Sequence, residues 1–190
     1  MDAATILHSA RTAPGRSQGW LAAAVGTQQP SLARLENGHS DATVGRLNRL
    51  LDPLGSQVSA LPTKLPTIAA WAASFTDWLE EGDIAEVRHG LLRASDDLRS
   101  LDGATAVSLC VLAPGPTGSD GVDAALACLV EYTLGRLGLP VPLWTGLVPA
   151  AIEPFYVVPN KGLRDIVREG TPEVFKKRNV WVPVDFWESV

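Results

Sequence analysis

The segment 17–38, SQGWLAAAVGTQQPSLARLENG, contains two short helical patterns separated by a glycine. Ser17 is a favourable N-cap for the first pattern, and Gly26 is a favourable residue just past its end. Pro30 is tolerated in the first turn of the second pattern, which an Asn-Gly pair then ends. The apolar residues on one side of each pattern are Trp20, Leu21, Ala24 and Val25, then Leu32 and Leu35. The segment therefore predicts two short helices joined by a tight turn.

Further helical patterns flank this pair on both sides. On the N-terminal side a short apolar helix is closed by a Pro-Gly pair. On the C-terminal side Thr43 caps a fourth helix, which ends at a proline and a glycine. The inward-facing residues of the two flanking helices are Ile6, Leu7, Ala10, Val44, Leu47, Leu50 and Leu51. Four or five short helices within residues 5–55 predict a compact helical domain, to which we assign residues 1–60.

Four short motifs of this region occur together at fixed spacing. They are Ser17-Gln18 at the start of the second helix, Leu21-Ala22 within it, Gly26 at the turn, and Leu35-Glu36-Asn37-Gly38 at the end of the third helix. Together with the helix of residues 43–55, they resemble the lambda-repressor-like (Cro/cI, XRE) helix-turn-helix family. The resemblance implies a five-helix domain that binds double-stranded DNA at an inverted-repeat operator, and a role in transcription regulation.

The resemblance also implies that the third helix is the recognition helix, whose first turn enters the major groove. Gln28, Gln29 and Ser31 occupy that turn, and Arg34 lies one turn further along. Glutamine pairs with adenine through two hydrogen bonds, serine bonds to either kind of base, and arginine reaches guanine or a phosphate. By the family pattern, Gln18 contacts the DNA backbone, where the start of a helix favours a phosphate. These five residues are the predicted DNA-binding residues.

Neighbouring side chains have structural interpretations. Glu36 is expected to form a hydrogen bond or ion pair within the domain, and Trp20 to lie in the core rather than to stack on a base. Arg11 and Arg16 are interpreted as solvated surface charges. For the two arginines of the fourth helix, contact with the DNA backbone and simple solvent exposure both remain open.

The two parts of the chain differ in charge. Residues 1–63 hold five arginines and four acidic residues, a net charge of +1, whereas the remainder holds 11 basic and 17 acidic residues, a net charge of −6. One weakly charged domain gains little affinity from the release of counterions. Steady DNA binding therefore requires two domains acting together. We expect a homodimer whose two recognition helices lie about 34 Å apart on the DNA.

The composition indicates a globular chain rather than a disordered or membrane-spanning one. Apolar residues make up 46% of the sequence and charged residues 19%, which is enough to build a core. No apolar run reaches the length that spans a bilayer, and the N-terminus lacks the basic stretch of a secretory signal. Cys110 and Cys128 are interpreted as small buried hydrophobes in a reducing compartment. We expect a cytoplasmic protein without contact to a membrane.

The second part of the chain is expected to be mainly helical. Two prolines mark residues 61–67 as a linker, and residues 68–190 then form a domain for dimerisation and partner binding. Before the linker, the alternation at 56–61 fits a short strand. The apolar run 106–112 fits a buried strand or a helix, because periodicity does not separate the two at this length. Around Pro183 the chain alternates like an edge strand. The predicted fold class is therefore mainly α with minor β.

The second part contains no pattern of catalytic or metal-binding residues. The nucleophile motif GxSxG and the zinc motif HExxH do not occur, and the carboxylate pairs have no accompanying histidines. We therefore expect no enzymatic activity, no cofactor and no metal.

Residues 153–190 combine aromatic and basic side chains, which are the types enriched at protein interfaces. One interpretation is that the aromatics fill the core and the basic residues pair with Asp165, Glu169 and Glu173. The other is that they bind a partner, and the residues predicted to do so are Phe155, Tyr156, Arg164, Arg168, Trp181 and Trp187. The layout of this region loosely resembles actinobacterial XRE-type regulators, several of which are similar to antitoxins encoded beside a toxin gene.

Three functions remain open at this point. The first is the autorepressing antitoxin of a bacterial toxin–antitoxin pair, with the cognate toxin as its protein partner. The second is a stand-alone XRE-type repressor with a ligand-sensing C-terminal domain. The third is an interaction protein whose helix-turn-helix has lost DNA binding.

Overall fold

The chain folds into two compact units. The computed structural model describes residues 2–158, Gly162 and residues 164–183. Unit 1 comprises Met1–Lys64 with Leu112–Pro114, and unit 2 comprises Leu65–Val111 with Gly115–Val190. Helices dominate the described part of both units, so the prediction of a mainly α protein is confirmed.

Unit 1 contains the five helical elements that the sequence predicts. They are α1 (Ala3–Thr12), α2 (Gln18–Val25), α3 (Gln29–Glu36), α4 (Val44–Leu51) and the 3-10 helix η1 (Asp52–Leu54). The side chains of Ser17 and Thr43 accept hydrogen bonds from backbone N–H groups in the first turns of α2 and α4, which confirms both predicted N-caps. Gly26 ends α2 with φ at +69°, a left-handed conformation that favours glycine.

The core of unit 1 is built from leucines of all four α-helices. Its fully or almost fully buried leucines are Leu7, Leu21, Leu32, Leu35, Leu47, Leu50 and Leu51. Burial of each such side chain contributes about 1.5–3 kcal/mol to folding. A hydrogen bond from Ser9 Oγ to the carbonyl oxygen of Ala113, at 2.8 Å, ties the short segment Leu112–Pro114 to α1 within the same unit.

The predicted strand at 56–61 does not form. The backbone N–H of Val58 instead donates to Oδ1 of Asn48 on α4, at 2.8 Å. This side-chain acceptor satisfies a backbone group that a strand would pair with a neighbouring strand. Val58, one of the apolar residues of this alternating pattern, packs against the helical core.

The inner faces of α2 and α4 differ in part from the prediction. Leu21 and Ala22 are buried, whereas Trp20 is 37% exposed and Ala24 is also exposed. Val44 at the start of α4 is 64% exposed. Because α2 has only eight residues and is apolar nearly all round, spacing alone does not choose which side faces the core.

Unit 2 is organised around one buried helix. Its elements are α5 (Ile68–Glu80), α6 (Ile84–Arg99), α7 (Gly103–Cys110), α8 (Asp120–Arg136), the 3-10 helix η2 (Leu143–Leu147), β1 (Phe155–Tyr156), α9 (Arg164–Gly170), α10 (Glu173–Lys176) and β2 (Val180–Trp181). Residues 124–130 of α8 are all buried, so this helix lies at the centre of the unit. The apolar run 106–112 belongs mainly to α7, which settles the choice between strand and helix.

Both cysteines are buried thiols, as the sequence predicts. Burial raises the pKa of Cys110 and that of Cys128 to about 12, so neither thiol ionises near neutral pH. They act as small apolar residues in the core of unit 2.

The minor β structure is a parallel pair. Phe155 pairs with Val180 and Tyr156 with Trp181. The alternating pattern around Pro183 therefore yields a strand of two residues before the proline, and residues 184–190 lie outside the described part of the chain. Within the described residues, every helix is too short or too polar to cross a lipid bilayer.

Candidate nucleic-acid interface

A buried carboxylate joins the helices around the helix-turn-helix. The side chain of Glu36, at the end of α3, is 1% exposed. Its two oxygens accept hydrogen bonds from Nε and Nη2 of Arg11 on α1, at 2.6 and 2.7 Å. Nε2 of Gln18 donates to the same carboxylate at 2.9 Å, and Nδ1 of His8 lies 3.4 Å from it. These four residues, here called the Glu36 network, hold the end of α3 against α1 and the start of α2.

The internal ion pair expected for Glu36 is thus present, whereas the prediction for Arg11 is wrong. Arg11 is only 8% exposed, and its Nη1 also donates to the carbonyl oxygen of Arg16 at 2.7 Å. The sequence does not reveal that a carboxylate 25 residues later lies against this guanidinium. The available signal was a glutamate at the end of an amphipathic helix in a domain with few acidic residues, since a buried charge requires a partner.

The residues predicted to read bases lie along α3. Gln28, Gln29 and Arg34 are exposed, and Ser31 is half-buried. Gln28 is the N-cap of α3 but makes no side-chain capping bond, so its amide is available for another partner. The opposite side of α3 is fixed by two fully buried leucines. The arrangement therefore presents a short polar face on a rigidly packed helix, as reading base edges in a major groove requires.

Arg46 of α4 reaches the first turn of this helix. Its Nη2 lies 3.4 Å from Oγ of Ser31, and the side chain is half-buried. A guanidinium at this place adds positive charge next to α3, the predicted recognition helix. Arg49, the other arginine of α4, is exposed.

The start of α2 offers backbone donors. The side chain of Gln18 is engaged by Glu36, but the backbone N–H groups of Gln18 and Gly19 bind no acceptor in the described part of the chain. Such groups at the start of a helix favour a phosphate oxygen. The contact of Gln18 with the DNA backbone stays a prediction, and its main-chain N–H is the group available for that contact, since its side chain donates to Glu36.

Trp20 lies at the surface beside this helix start, so the expectation that it belongs to the core is wrong. The guanidinium of Arg16 lies 4.6 Å from the centroid of its ring. The cation–π contact covers one face of an indole that is 37% exposed. Arg16 is exposed, as predicted, but it is stacked rather than free in solvent.

The Glu36 network makes the stability of unit 1 depend on pH. Burial raises the pKa of Glu36, but the hydrogen bonds from Arg11, Gln18 and His8 outweigh it, and the pKa lies below its ordinary value. A carboxylate with a lower pKa in the folded state stabilises the fold above its unfolded-state pKa, about 4.3. This contribution is lost as the pH falls through the folded-state pKa. We therefore expect the urea midpoint of unit 1 to be level near pH 7 and to fall steeply below about pH 4.3.

This expectation can be measured in the whole protein, because Trp20 is the only tryptophan among residues 1–64. The ¹⁹F signal of Trp20 in fluorotryptophan-labelled protein follows the unfolding of unit 1 alone. Glu36→Gln should remove most of the fall of the urea midpoint at low pH. If the urea midpoint of that variant still fell equally at low pH, the pH dependence would be assigned to Asp2, whose pKa is lowered by hydrogen bonds from Thr5.

The predicted partner-binding residues of unit 2 are only partly brought together. Tyr156 and Trp181 stack with their ring centroids 6.3 Å apart, and Arg164 and Arg168 lie over these two rings. Phe155 lies elsewhere, because its ring packs closely against the backbone of α8 at Gly121. Trp187 falls outside the described residues.

Two short helices linked by a left-handed glycine, with polar residues exposed on the second, define unit 1 as a helix-turn-helix DNA-binding domain. The comparison with protein families agrees, since residues 7–61 match the family model described as helix-turn-helix. This domain belongs to the lambda-repressor-like (XRE-type) helix-turn-helix family, and the protein is a DNA-binding transcription regulator of that type. No curated protein and no solved structure matches the chain. The resemblance of residues 153–190 to antitoxin-type regulators stays a prediction.

Proposed function

We propose that the protein is the autorepressing antitoxin of a bacterial toxin–antitoxin pair. Unit 1 of two copies binds an inverted-repeat operator in the protein's own promoter. Unit 2 joins the two copies and binds the toxin. The proposal assigns no catalytic step to the chain, because its sequence holds no catalytic motif.

The observation that carries the dimeric assembly in this proposal is a set of exposed aliphatic side chains in unit 2, whereas the antitoxin role is supported by the resemblance of residues 153–190 to antitoxin-type regulators. Leu143, Leu147 and Ile152, here called the aliphatic row, are 85%, 74% and 85% exposed. Scattered exposed leucines are ordinary, but three such side chains within ten residues are typical of an interface.

The backbone that carries the aliphatic row is held firmly, which distinguishes it from a loose loop. Trp144 is buried and its Nε1 donates to the carbonyl oxygen of Cys110 at 2.8 Å. The carbonyl oxygen of Thr145 accepts a bond from Nη2 of Arg178 at 2.7 Å. At the far end, the N–H of Ile152 donates to Oδ2 of Asp120 at 2.6 Å. The exposed side chains are therefore held in place before any partner arrives, which lowers the entropic cost of binding.

We assign the aliphatic row to the contact between two copies of the chain. An inverted-repeat operator needs two recognition helices, and unit 1 carries too little charge to bind well alone. Linking two binding domains raises the overall affinity by about 10²–10⁴ without any new DNA contact.

The dimer contact is tested by Leu143→Glu together with Leu147→Glu. We expect the variant to become monomeric and to bind the full operator about a hundredfold more weakly, while its affinity for an isolated half-site is unchanged. Multi-angle light scattering gives the mass, and fluorescence anisotropy with labelled promoter DNA gives both affinities.

The matched control for this test is Ile84→Glu with Val111→Glu, which places two charges at other exposed apolar positions of unit 2. It should remain dimeric and bind the operator like the wild type. A variant at Leu143 and Leu147 that stays dimeric would show that the aliphatic row is not the contact.

The antitoxin role is tested by co-expressing the chain with the product of the adjacent gene. We expect that product to inhibit growth when expressed alone, to be neutralised by this chain, and to co-purify with it. An adjacent product without toxicity or binding, together with a promoter shift that responds to a small molecule, would favour a stand-alone repressor with a ligand-sensing C-terminal domain. Failure to bind the promoter even at low salt would favour a protein that has lost DNA binding.

A further inference from the structure

One cluster of side chains in unit 2 combines exposed positive charge with stacked aromatic rings. Arg164 and Arg168 lie four residues apart on α9, and Tyr156 and Trp181 lie side by side on the parallel strands β1 and β2. These four residues are here called the arginine platform. Both arginines are exposed, and both rings are half-buried.

The rings hold the guanidinium groups in place. Cζ of Arg164 lies 4.5 Å from the centroid of Tyr156, and Cζ of Arg168 lies 5.6 Å from that of Trp181. Nε of Arg168 also donates to the hydroxyl of Tyr156 at 3.0 Å. Trp181 is itself fixed, because its Nε1 donates to Oδ1 of Asn179 at 3.1 Å. Arginine stacked on aromatic rings loses less freedom on binding than a free side chain does.

In the part of the chain that the structure describes, these guanidinium groups lack an anionic partner. Within the described residues, neither Arg164 nor Arg168 forms an ion pair with a carboxylate, although Asp165 and Glu169 are their neighbours on α9. Asp165 lies three residues before Arg168 on α9, a spacing that permits a contact, but the guanidinium of Arg168 lies over Trp181 and bonds to Tyr156 instead. By contrast, Lys176 on α10 pairs with Glu173 at 3.1 Å. Of the guanidinium N–H donors of the arginine platform, only Nε of Arg168 has a hydrogen-bond acceptor among the described residues, so the others are available to an external one.

We propose that the arginine platform binds a pair of carboxylates one helical turn apart on the protein partner of unit 2. This inference rests on the proposed function, in which unit 2 binds a protein. Side chains four residues apart on a helix are about 5–6 Å apart at Cβ, so an acidic pair on a partner helix matches the spacing of the two arginines. Each planar guanidinium can bind one carboxylate through two parallel hydrogen bonds.

The charge of the rest of the chain favours a short acidic segment over nucleic acid at this place. Residues 64–190 hold 17 acidic residues against 11 basic ones. A duplex is a long and densely charged polyanion that this excess repels along its whole length, whereas two carboxylates need only the local positive charge.

The test uses the full-length protein and a helical alanine-rich peptide of about 16 residues that carries two glutamates four positions apart. A peptide with two glutamines at those positions is the control ligand. Binding is followed by NMR through the indole signal of Trp181 and the Nε–H signals of Arg164 and Arg168. We expect the glutamate peptide to shift these signals and the glutamine peptide to leave them unchanged.

Three variants distinguish recognition by the two positioned guanidinium groups from attraction by net positive charge. Arg164→Gln with Arg168→Gln should weaken binding of the glutamate peptide about tenfold or more, since charge-assisted hydrogen bonds are lost. Lys176→Gln with Lys177→Gln removes the same charge nearby and should change the affinity less than about twofold. Arg164→Lys with Arg168→Lys keeps the charge but loses the planar fork, and should weaken binding about threefold or more.

Several results would overturn the inference. An equal loss of peptide affinity in the variants Arg164→Gln with Arg168→Gln and Lys176→Gln with Lys177→Gln would show that only net charge matters. Unchanged affinity in Arg164→Lys with Arg168→Lys would show that the carboxylates are not bound through paired hydrogen bonds to planar guanidinium groups. Tighter binding of a single-stranded oligonucleotide, reported by the same signals, would assign the platform to nucleic acid. Promoter binding and dimerisation do not depend on these signals, so a failed peptide titration leaves the proposed function standing. A failed promoter shift with intact peptide binding would instead remove the proposed function.

Discussion

Replacement of Gln29 and Arg34 together by alanine is expected to abolish operator-specific binding and to leave the fold and the dimer intact. Both side chains are exposed on α3, so their loss should change the free energy of unfolding by no more than about 0.5 kcal/mol. Each lost contact with a base costs about 1–3 kcal/mol of discrimination. Two contacts in each of two copies then amount to at least about a thousandfold in operator affinity.

The measurement is fluorescence anisotropy with the protein's own promoter and with an unrelated duplex at the same salt concentration. Binding to the unrelated duplex should weaken far less, because it depends mainly on phosphate contacts. Gln57→Ala with Arg136→Ala removes the same two groups from exposed positions outside α3 and serves as the control. Specific binding retained by the α3 variant would show that α3 is not the recognition helix.

Glu36→Ala is expected to destabilise unit 1 by about 3–5 kcal/mol. The substitution leaves Arg11 buried without its carboxylate and deprives Gln18 of its acceptor. A loss of this size is comparable to the whole stability of a domain of about 60 residues, so unit 1 should be partly unfolded in the variant and operator binding should fail with it. Urea titration followed at Trp20 measures the change.

Two further variants show whether the buried charge is the cause. Arg11→Met with Glu36→Leu removes both partners and should be markedly more stable than Glu36→Ala, since no unpaired charge remains. Glu173→Ala breaks the exposed pair with Lys176 and should cost less than about 1 kcal/mol. A loss for Glu36→Ala as small as that for Glu173→Ala would refute the role of the Glu36 network.

Local signals predicted the helices of unit 1 and their N-caps. Ser17, Gly26 and Thr43 act through hydrogen bonds or backbone angles within a few residues of themselves, so their roles can be read without the rest of the fold. The exposed polar residues of α3 followed from the same local pattern together with the family motif. The strand predicted at 56–61 failed because the acceptor that replaces a neighbouring strand is Asn48, on a helix outside the local pattern.

Unit 2 was less predictable because its elements are held by contacts between distant residues. Helix α8 was clear from its long run of alanine and leucine. The burial that makes it central, however, depends on its contacts with α5 and α6, which lie earlier in the chain. The short parallel pair of β1 and β2 joins residues 25 positions apart, and sequence alternation did not indicate that pairing.

The sequence by itself determined the helix-turn-helix, its caps and its exposed polar face, because each depends on the geometry of one or two turns of chain. Only the tertiary structure decided that Arg11 is buried against Glu36, that Trp20 is at the surface, and that Tyr156 and Trp181 stack beneath two arginines. The physical reason is the same in all three cases. The burial of a side chain and the partner of a charge are set by residues that the fold brings close from far along the chain.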